Sequence, residues 1–166
     1  MPKKYPPYQK FPTLCSDELV LRKVTDSDAG DLMEISFYDG IQARAPDEAM
    51  EMLKKIDGDY LLGNSIHWGI IDVQTSKLVG TCGYYRGFKD NSGELGYILK
   101  PSFEGRGYMT KALKQAIEFG LYTIGLQKII AITEKKNLKS QNILKKLNFS
   151  QEADKDDYIT FTYRNK

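Results

Sequence analysis

The hydrophobic pattern of this chain changes period several times. Leu19-Val20-Leu21-Arg22 reads as a short strand, and the side-chain oxygens of Thr25, Asp26, Ser27 and Asp28 can cap a helix running to about Ile35. A second helix is predicted over residues 47–57, where Ala49, Met50, Met52, Leu53 and Ile56 recur at near-helical spacing behind Pro46, which a first turn tolerates. The pattern then turns strand-like. Ile66 to Val73 and Leu78 to Tyr85 are two predicted strands joined by the polar turn Gln74-Thr75-Ser76-Lys77, and Glu94 to Leu99 is a third after Asp90-Asn91-Ser92-Gly93, giving an antiparallel meander. From Pro101 the order becomes turn, helix, strand, helix. Residues 110–124 place Leu113, Ala116, Ile117, Gly120, Leu121 and Ile124 on one stripe that must cover a sheet. Lys128 to Thr133 is nearly all apolar, as for a parallel strand buried on both faces. A helix over Leu138 to Leu147 and an alternating strand over Tyr158 to Tyr163 complete an α/β (α+β) reading.

Composition narrows the function. The 166 residues suit one domain, and residues 1–12, which hold four of the six prolines, read as an extended surface arm before a single domain over 13–166. With 24 basic residues scattered among 22 acidic ones there is no basic stripe, which argues against a nucleic-acid partner. No apolar run approaches the ~20 residues of a membrane span. The N-terminal stretch has charge but no apolar segment behind it, so the expected location is cytoplasmic, with no membrane partner. Cys15 and Cys82 lack redox or zinc spacing, and His67, the sole histidine, sits in no motif, so metal chemistry and a Ser-His-Asp triad are disfavoured.

The segment carrying chemistry runs from Gly93 to Ala112: a strand, a turn with Gly105 and Gly107, then a helix start. The first N–H groups of a helix lack internal partners and sit at the positive end of its dipole, and glycines let backbone approach an anion closely. A pyrophosphate fits such a place, although the same glycines also serve an ordinary tight turn. The dinucleotide fingerprint fails because Thr110 stands where its last glycine would be, and no Gly-Lys-Ser/Thr follows to make a nucleotide-hydrolysis loop.

Together with Leu19-Val20-Leu21-Arg22 and Asp28, Trp68-Gly69-Ile70, Leu78-Val79-Gly80-Thr81, Glu94-Leu95-Gly96-Tyr97, Gly105 to Thr110, Asn137-Leu138-Lys139-Ser140 and Lys146-Leu147-Asn148-Phe149, this segment resembles the GNAT superfamily of N-acetyltransferases. Within it, the sequence is most similar to ribosomal-protein N-terminal acetyltransferases of the RimJ/RimL type. The resemblance implies a mixed, mostly antiparallel sheet whose fourth and fifth strands splay apart to receive acetyl-CoA, with no metal. It implies that backbone at Ile98 and Leu99 holds the pantetheine arm and thioester, and that Gly105, Arg106, Gly107, Tyr108, Met109 and Thr110 hold the pyrophosphate. Asn137 is implied as a pantetheine contact, while its place before Leu138 equally suits a helix N-cap. Ser140 matches the hydroxyl that protonates the leaving thiolate in this branch; the tyrosine other branches use would fall at Leu144.

An amine attacks only when unprotonated, so a base belongs near the thioester, and Glu94 is the candidate, directly or through water. Its plainer reading is an exposed strand residue. Covalent transfer through a cysteine is the weaker mechanism, since Cys82 lies in an apolar strand and Cys15 in the N-terminal approach. Several positions depart from the family pattern. Lys111 replaces a glutamate and is expected to favour the pyrophosphate, while Asn148 replaces a glycine, as an asparagine in a left-handed position would. The acceptor amine is a protein N-terminus or a small molecule such as a polyamine or aminoglycoside, and a non-catalytic acyl-CoA-binding module is the remaining alternative. Residues 30–65 and the loop from Arg86 to Ser92 are expected to build the acceptor site. There Asp39, Asp47, Glu48 and Glu51 are either an attraction for a cationic acceptor or a solvated face. The assembly is expected to be a monomer or a homodimer.

Overall fold

The computed structural model describes residues 4–38 and 40–165. The chain begins with the short strand β1 (Leu14–Cys15) and β2 (Leu19–Lys23), followed by 3-10 turns at Asp26–Asp28 and Met33–Ile35 that flank one α-helical turn, α1 (Ala29–Leu32). Two-residue strands β3 (Phe37–Tyr38) and β4 (Ile41–Gln42) form a hairpin before helix α2 (Pro46–Leu61). Then come β5 (Ile66–Asp72), β6 (Leu78–Tyr85), β7 (Ser92–Leu99) and helix α3 (Tyr108–Glu118), which widens into a π-helical turn over Phe119–Ile124. The chain ends with β8 (Lys128–Glu134), α4 (Leu138–Lys146), β9 (Ser150–Lys155) and β10 (Tyr158–Arg164).

Eight strands form one sheet in the order β1-β2-β5-β6-β7-β8-β10-β9, antiparallel except for the parallel pair β7 and β8. The amphipathic stripe of α3, with Ala112, Leu113 and Ala116 fully buried, packs with Trp68, Tyr84, Leu95 and Leu144 into the larger core on one face. Replacing a buried leucine such as Leu113 with alanine costs ~2–5 kcal/mol by the usual cavity arithmetic. The smaller core on the other face joins Val24, Leu32, Ile35, Leu53 and Leu78 beneath α1 and α2. An ion pair fixes the entry to α1: Asp28 accepts from both Arg22 nitrogens at 2.8 and 3.0 Å and from the Thr25 N–H at 2.9 Å.

Three expectations change. The helix expected from residue 26 to 35 is a broken run of 3-10 and α turns. Strand β8 is not buried on both faces: Ile129 and Ala131 are in the core, whereas Ile132 is 49% exposed, since α1 and α2 pack on β6 and β5, at the other end of the sheet order. The proline-rich arm, described from residue 4, forms no helix or strand before β1, yet it is pinned to the domain by aromatic rings, Tyr8 against Phe119 and Phe11 against Tyr60, and by Pro12 O accepting from Trp68 Nε1 at 3.0 Å. Asn148 does take the left-handed conformation, with φ of 69°.

Candidate active site

The strands expected to splay do so. Strand β7 pairs with β6 from Glu94 to Leu99, but its parallel register with β8 covers only Ser92, Gly93 and Glu94. Past that point the two strands diverge into a wedge, and Ile98 and Leu99 lie on its edge, beyond the last residues paired with β8. The chain then turns through Pro101–Phe103 into a glycine turn and α3. Gly105 and Gly107 have φ of 80° and 78°, and a Cβ built on either meets no heavy atom within 4 Å. They are needed for backbone conformation, and the space above them is open.

Gly107 is the N-cap of α3 and supplies no side-chain acceptor, so the first helical N–H groups, at Tyr108, Met109 and Thr110, remain available to an anion. Beside them the Arg106 guanidinium sits 5.7 Å over the Phe103 ring, whose neighbour is Tyr108. Met109 contributes only backbone, since its side chain is in the core. These residues fit a pyrophosphate. Lys111 differs from expectation in that its ammonium pairs with Glu18.

The opposite wall of the wedge is the start of α4. Asn137 Oδ1 accepts from the Ser140 N–H at 3.1 Å, the N-cap geometry, and Ser140 Oγ lies 2.6 Å from the Tyr97 hydroxyl. Lys139 adds an ion pair to Glu104 at 2.6 Å, so turn, β7 and α4 converge around one opening. Burial pushes the Tyr97 hydroxyl up to about 12, which keeps it protonated as a donor. Tyr97 ends the motif Glu94-Leu95-Gly96-Tyr97, but the motif alone assigns its side chain no role. Strand alternation is its only signal, since it places Tyr97 on the same face as Leu95 and Leu99.

On the other face of β7 lies a cavity of about 640 Å³. Its wall takes Leu32 and Ile35 from the α1 region, Ala49, Met52, Leu53, Ile56 and Asp59 from one face of α2, and His67, Thr81, Tyr85, Tyr97 and Ile98 from the sheet. Asp59 is held by the Tyr38 hydroxyl at 2.9 Å. Ser65, 2% exposed, lies behind this wall with its Oγ fully buried and without a hydrogen-bond partner among the described residues. Asp47, Glu48 and Glu51 are solvent-exposed on α2, away from the cavity, with Glu48 accepting from the Arg44 N–H and Glu51 paired with Lys54. Asp39 lies outside the described residues.

Glu94 shares this face of the sheet with its cross-strand partner Tyr85, but its Oε2 accepts from Arg86 at 2.8 Å and it is not among the cavity-lining residues. Arg86 itself sits at the cavity rim with φ of 62°, an uncommon conformation for a long side chain. His67 Nδ1 lies 2.6 Å from the Tyr85 hydroxyl. The Tyr85 ring is laid over Gly96, where a Cβ would come within 2.9 Å of it. Burial lowers the His67 pKa to about 4, so the ring is neutral near pH 7. Cys82 is buried, its thiol pushed up to about 12, which removes it as a nucleophile at neutral pH. Among the described residues no cluster of metal-ligating side chains forms, and no helix is long and apolar enough to cross a membrane.

Residues 18–150 match the acetyltransferase (GNAT) domain family, and the chain belongs to that family. It is 30% identical to the uncharacterized N-acetyltransferase p20 of Bacillus licheniformis over 88% of this chain and 86% of that one. Among solved structures it superposes on a ribosomal-protein-S5-alanine acetyltransferase from Vibrio fischeri with a TM-score of 0.77, at 21% identity over 93% of this chain and 97% of the other. A dodecameric spermidine N-acetyltransferase from Vibrio cholerae gives 0.75, at 17% identity over 90% and 95%. The chain is thus an acetyl-CoA-dependent N-acetyltransferase by family.

Proposed function

We propose that this protein transfers acetyl from acetyl-CoA to the primary amine of an amphipathic acceptor, in a ternary complex and without an acyl-enzyme. The observation that supports this most is that Tyr97 and Ile98 border both the wedge and the cavity, so a thioester lying along β7 would be reached from the cavity side. The Gly105–Thr110 turn would hold the pyrophosphate, with Arg106 beside it, and the backbone of Ile98 and Leu99 the pantetheine. Asn137 would orient Ser140 and offer its remaining amide hydrogens to the same arm. The Tyr97–Ser140 hydroxyl pair would give the departing thiolate its proton. Two receivers stand near the proton that the amine loses: Glu94, already held by Arg86, and the Tyr85–His67 pair.

Relatives of this family include an enzyme named for a ribosomal protein's alanine and one named for spermidine. The cavity favours neither a polycation nor a strongly anionic acceptor. Asp59 is the only carboxylate among its described lining residues, and apolar side chains form most of the wall. Beyond one ammonium that Asp59 could pair, a further one would be desolvated there without a partner. An acceptor with one reacting amine and an apolar body would match this lining.

Calorimetry with acetyl-CoA, followed by thiol release on adding 2-phenylethylamine, spermidine and alanine- or serine-initiated tripeptides, tests the reading. Binding with thiol release supports it, and the ranking of probes tests the acceptor class. Binding without release from a wider amine panel would favour a non-catalytic acyl-CoA module, and no binding would reject the reading.

A further inference from the structure

Resting on the transferase reading above, we propose that Tyr85 and His67 form the relay that carries the acceptor's proton away, with Tyr85 touching the amine and His67 acting behind it. Three placements carry this. Tyr85 lies over Gly96, one residue from the Tyr97 and Ile98 edge where the thioester would sit, and this close approach exists because position 96 has no side chain. Its hydroxyl is 2.6 Å from His67 Nδ1. His67 borders not only the acceptor cavity but also a second hollow of about 10 Å³, lined by Phe11, Lys23, Asp57 and Tyr60, about the space of one water. A proton taken up on the acceptor side therefore has an exit on the other. Glu94 lacks that arrangement, being bound to Arg86 outside the cavity wall.

The amine lone pair forms the C–N bond while one N–H proton passes to Tyr85 Oη and the Tyr85 proton passes to Nδ1 of His67. The electron pair of the C–S bond leaves on sulfur, which takes a proton from the Tyr97–Ser140 pair, later reprotonated by water. Because burial disfavours a charged ring, the Nε2 proton leaves to water in the small hollow as Nδ1 takes the Tyr85 proton, and proton exchange with water then returns the ring to the tautomer with Nδ1 bare. The charged or titratable groups that line these spaces with His67 are Tyr38, Asp59, Tyr85, Arg86 and Tyr97 around the cavity and Lys23, Asp57 and Tyr60 around the hollow. Burial raises the Asp57 carboxyl, which makes it a better resting place for an outgoing proton.

The relay requires a neutral ring with Nδ1 bare and Nε2 protonated. Because His67 is the only histidine, nitrogen NMR of labelled protein reads this without assignment. A ring protonated on Nδ1, or charged at pH 7, overturns the proposal whether or not an acceptor is known. In turnover with whichever of the probe amines above reacts, Tyr85→Phe and His67→Gln should each lower kcat by 100-fold or more, with unchanged acetyl-CoA affinity. Their residual rates should rise with pH as solvent base takes over. In His67→Gln the introduced amide could still accept from the Tyr85 hydroxyl but could not take the proton, and Tyr85→Phe leaves the sheet packing in place should the histidine variant fold poorly. A Glu94→Gln loss larger than either would overturn the relay. Absence of thiol release by the wild-type protein would count against the transferase reading alone, leaving the NMR result to decide the relay.

Discussion

The wedge side of β7 and the cavity side are assembled in opposite ways. On the wedge side the candidate contacts are mostly backbone, from the stretch 98–110 plus the cap of α4, and the side chains there, such as the buried Met109, face elsewhere. On the cavity side the contacts are side chains gathered from α1, α2, β5, β6 and β7. A site made of backbone depends on conformation and tolerates changes of side chain. A site made of side chains depends on which residues several elements bring together, so it can be retuned without disturbing the other.

Substitutions can break that separation. On the wedge side the largest loss should follow Ser140→Ala: kcat falls ~100-fold for lack of a proton donor to the thiolate, with acetyl-CoA affinity nearly kept. Equal damage to binding would mean that the Ser140–Tyr97 contact is structural only. Gly107→Ala comes next. A left-handed alanine costs roughly 1–2 kcal/mol, so calorimetry should show acetyl-CoA affinity weakened about 5- to 30-fold, with the preference among acceptors unchanged. Asp28→Asn should lower stability by ~1–3 kcal/mol in denaturant unfolding, since the Asp28 carboxylate holds Arg22 and the Thr25 amide. Because α1 carries Leu32 and leads directly into Ile35, the same variant should raise the acceptor KM and leave acetyl-CoA binding alone.

Acid should act in two stages. The His67 pKa is lowered on folding, so the unfolded chain takes up that proton first, and stability starts to fall as pH drops below the ordinary histidine value of ~6.5. Asp28 is also lowered, chiefly by its hydrogen bond to Arg22, so its contribution is present above ~3.9 and is lost below it. A His67→Gln melting series should lack the first stage and keep the second. The smallest effect belongs to Lys139→Ala. Its ion pair with Glu104 is exposed and worth under ~1 kcal/mol, and a large loss of stability would contradict that.

Much of this is readable from the chain because the informative segments are contiguous. The stripe of α3 and the glycines of the turn each sit in one stretch with one period, and residues 98–110 need no knowledge of distant contacts. The strand β9 escapes sequence reading because Ser150–Lys155 is exposed throughout and offers no alternation; it exists through its pairing with β10. The β3–β4 hairpin is too short to show a period. The cavity is hidden for a different reason. His67 sits between Ile66 and Trp68 in a run that looks like core, and only the pairing of β5 with β6 sets it beside Tyr85. Of the region expected to receive the acceptor, residues 32–65 supply much of the cavity wall, largely through apolar side chains and Asp59 rather than the acidic residues early in α2, whereas the loop expected beside them adds only Arg86.

Among the described residues, three strand-register pairs join the five-stranded part of the sheet, β1-β2-β5-β6-β7, to the three-stranded part, β8-β10-β9. Such a seam is where amide hydrogens should exchange earliest within the sheet and where a pulling force would part it. A co-substrate lodged in the wedge would bridge the seam by bonding to both lips, so loading would act as a mechanical stitch. Exchange at the two lips should then slow together.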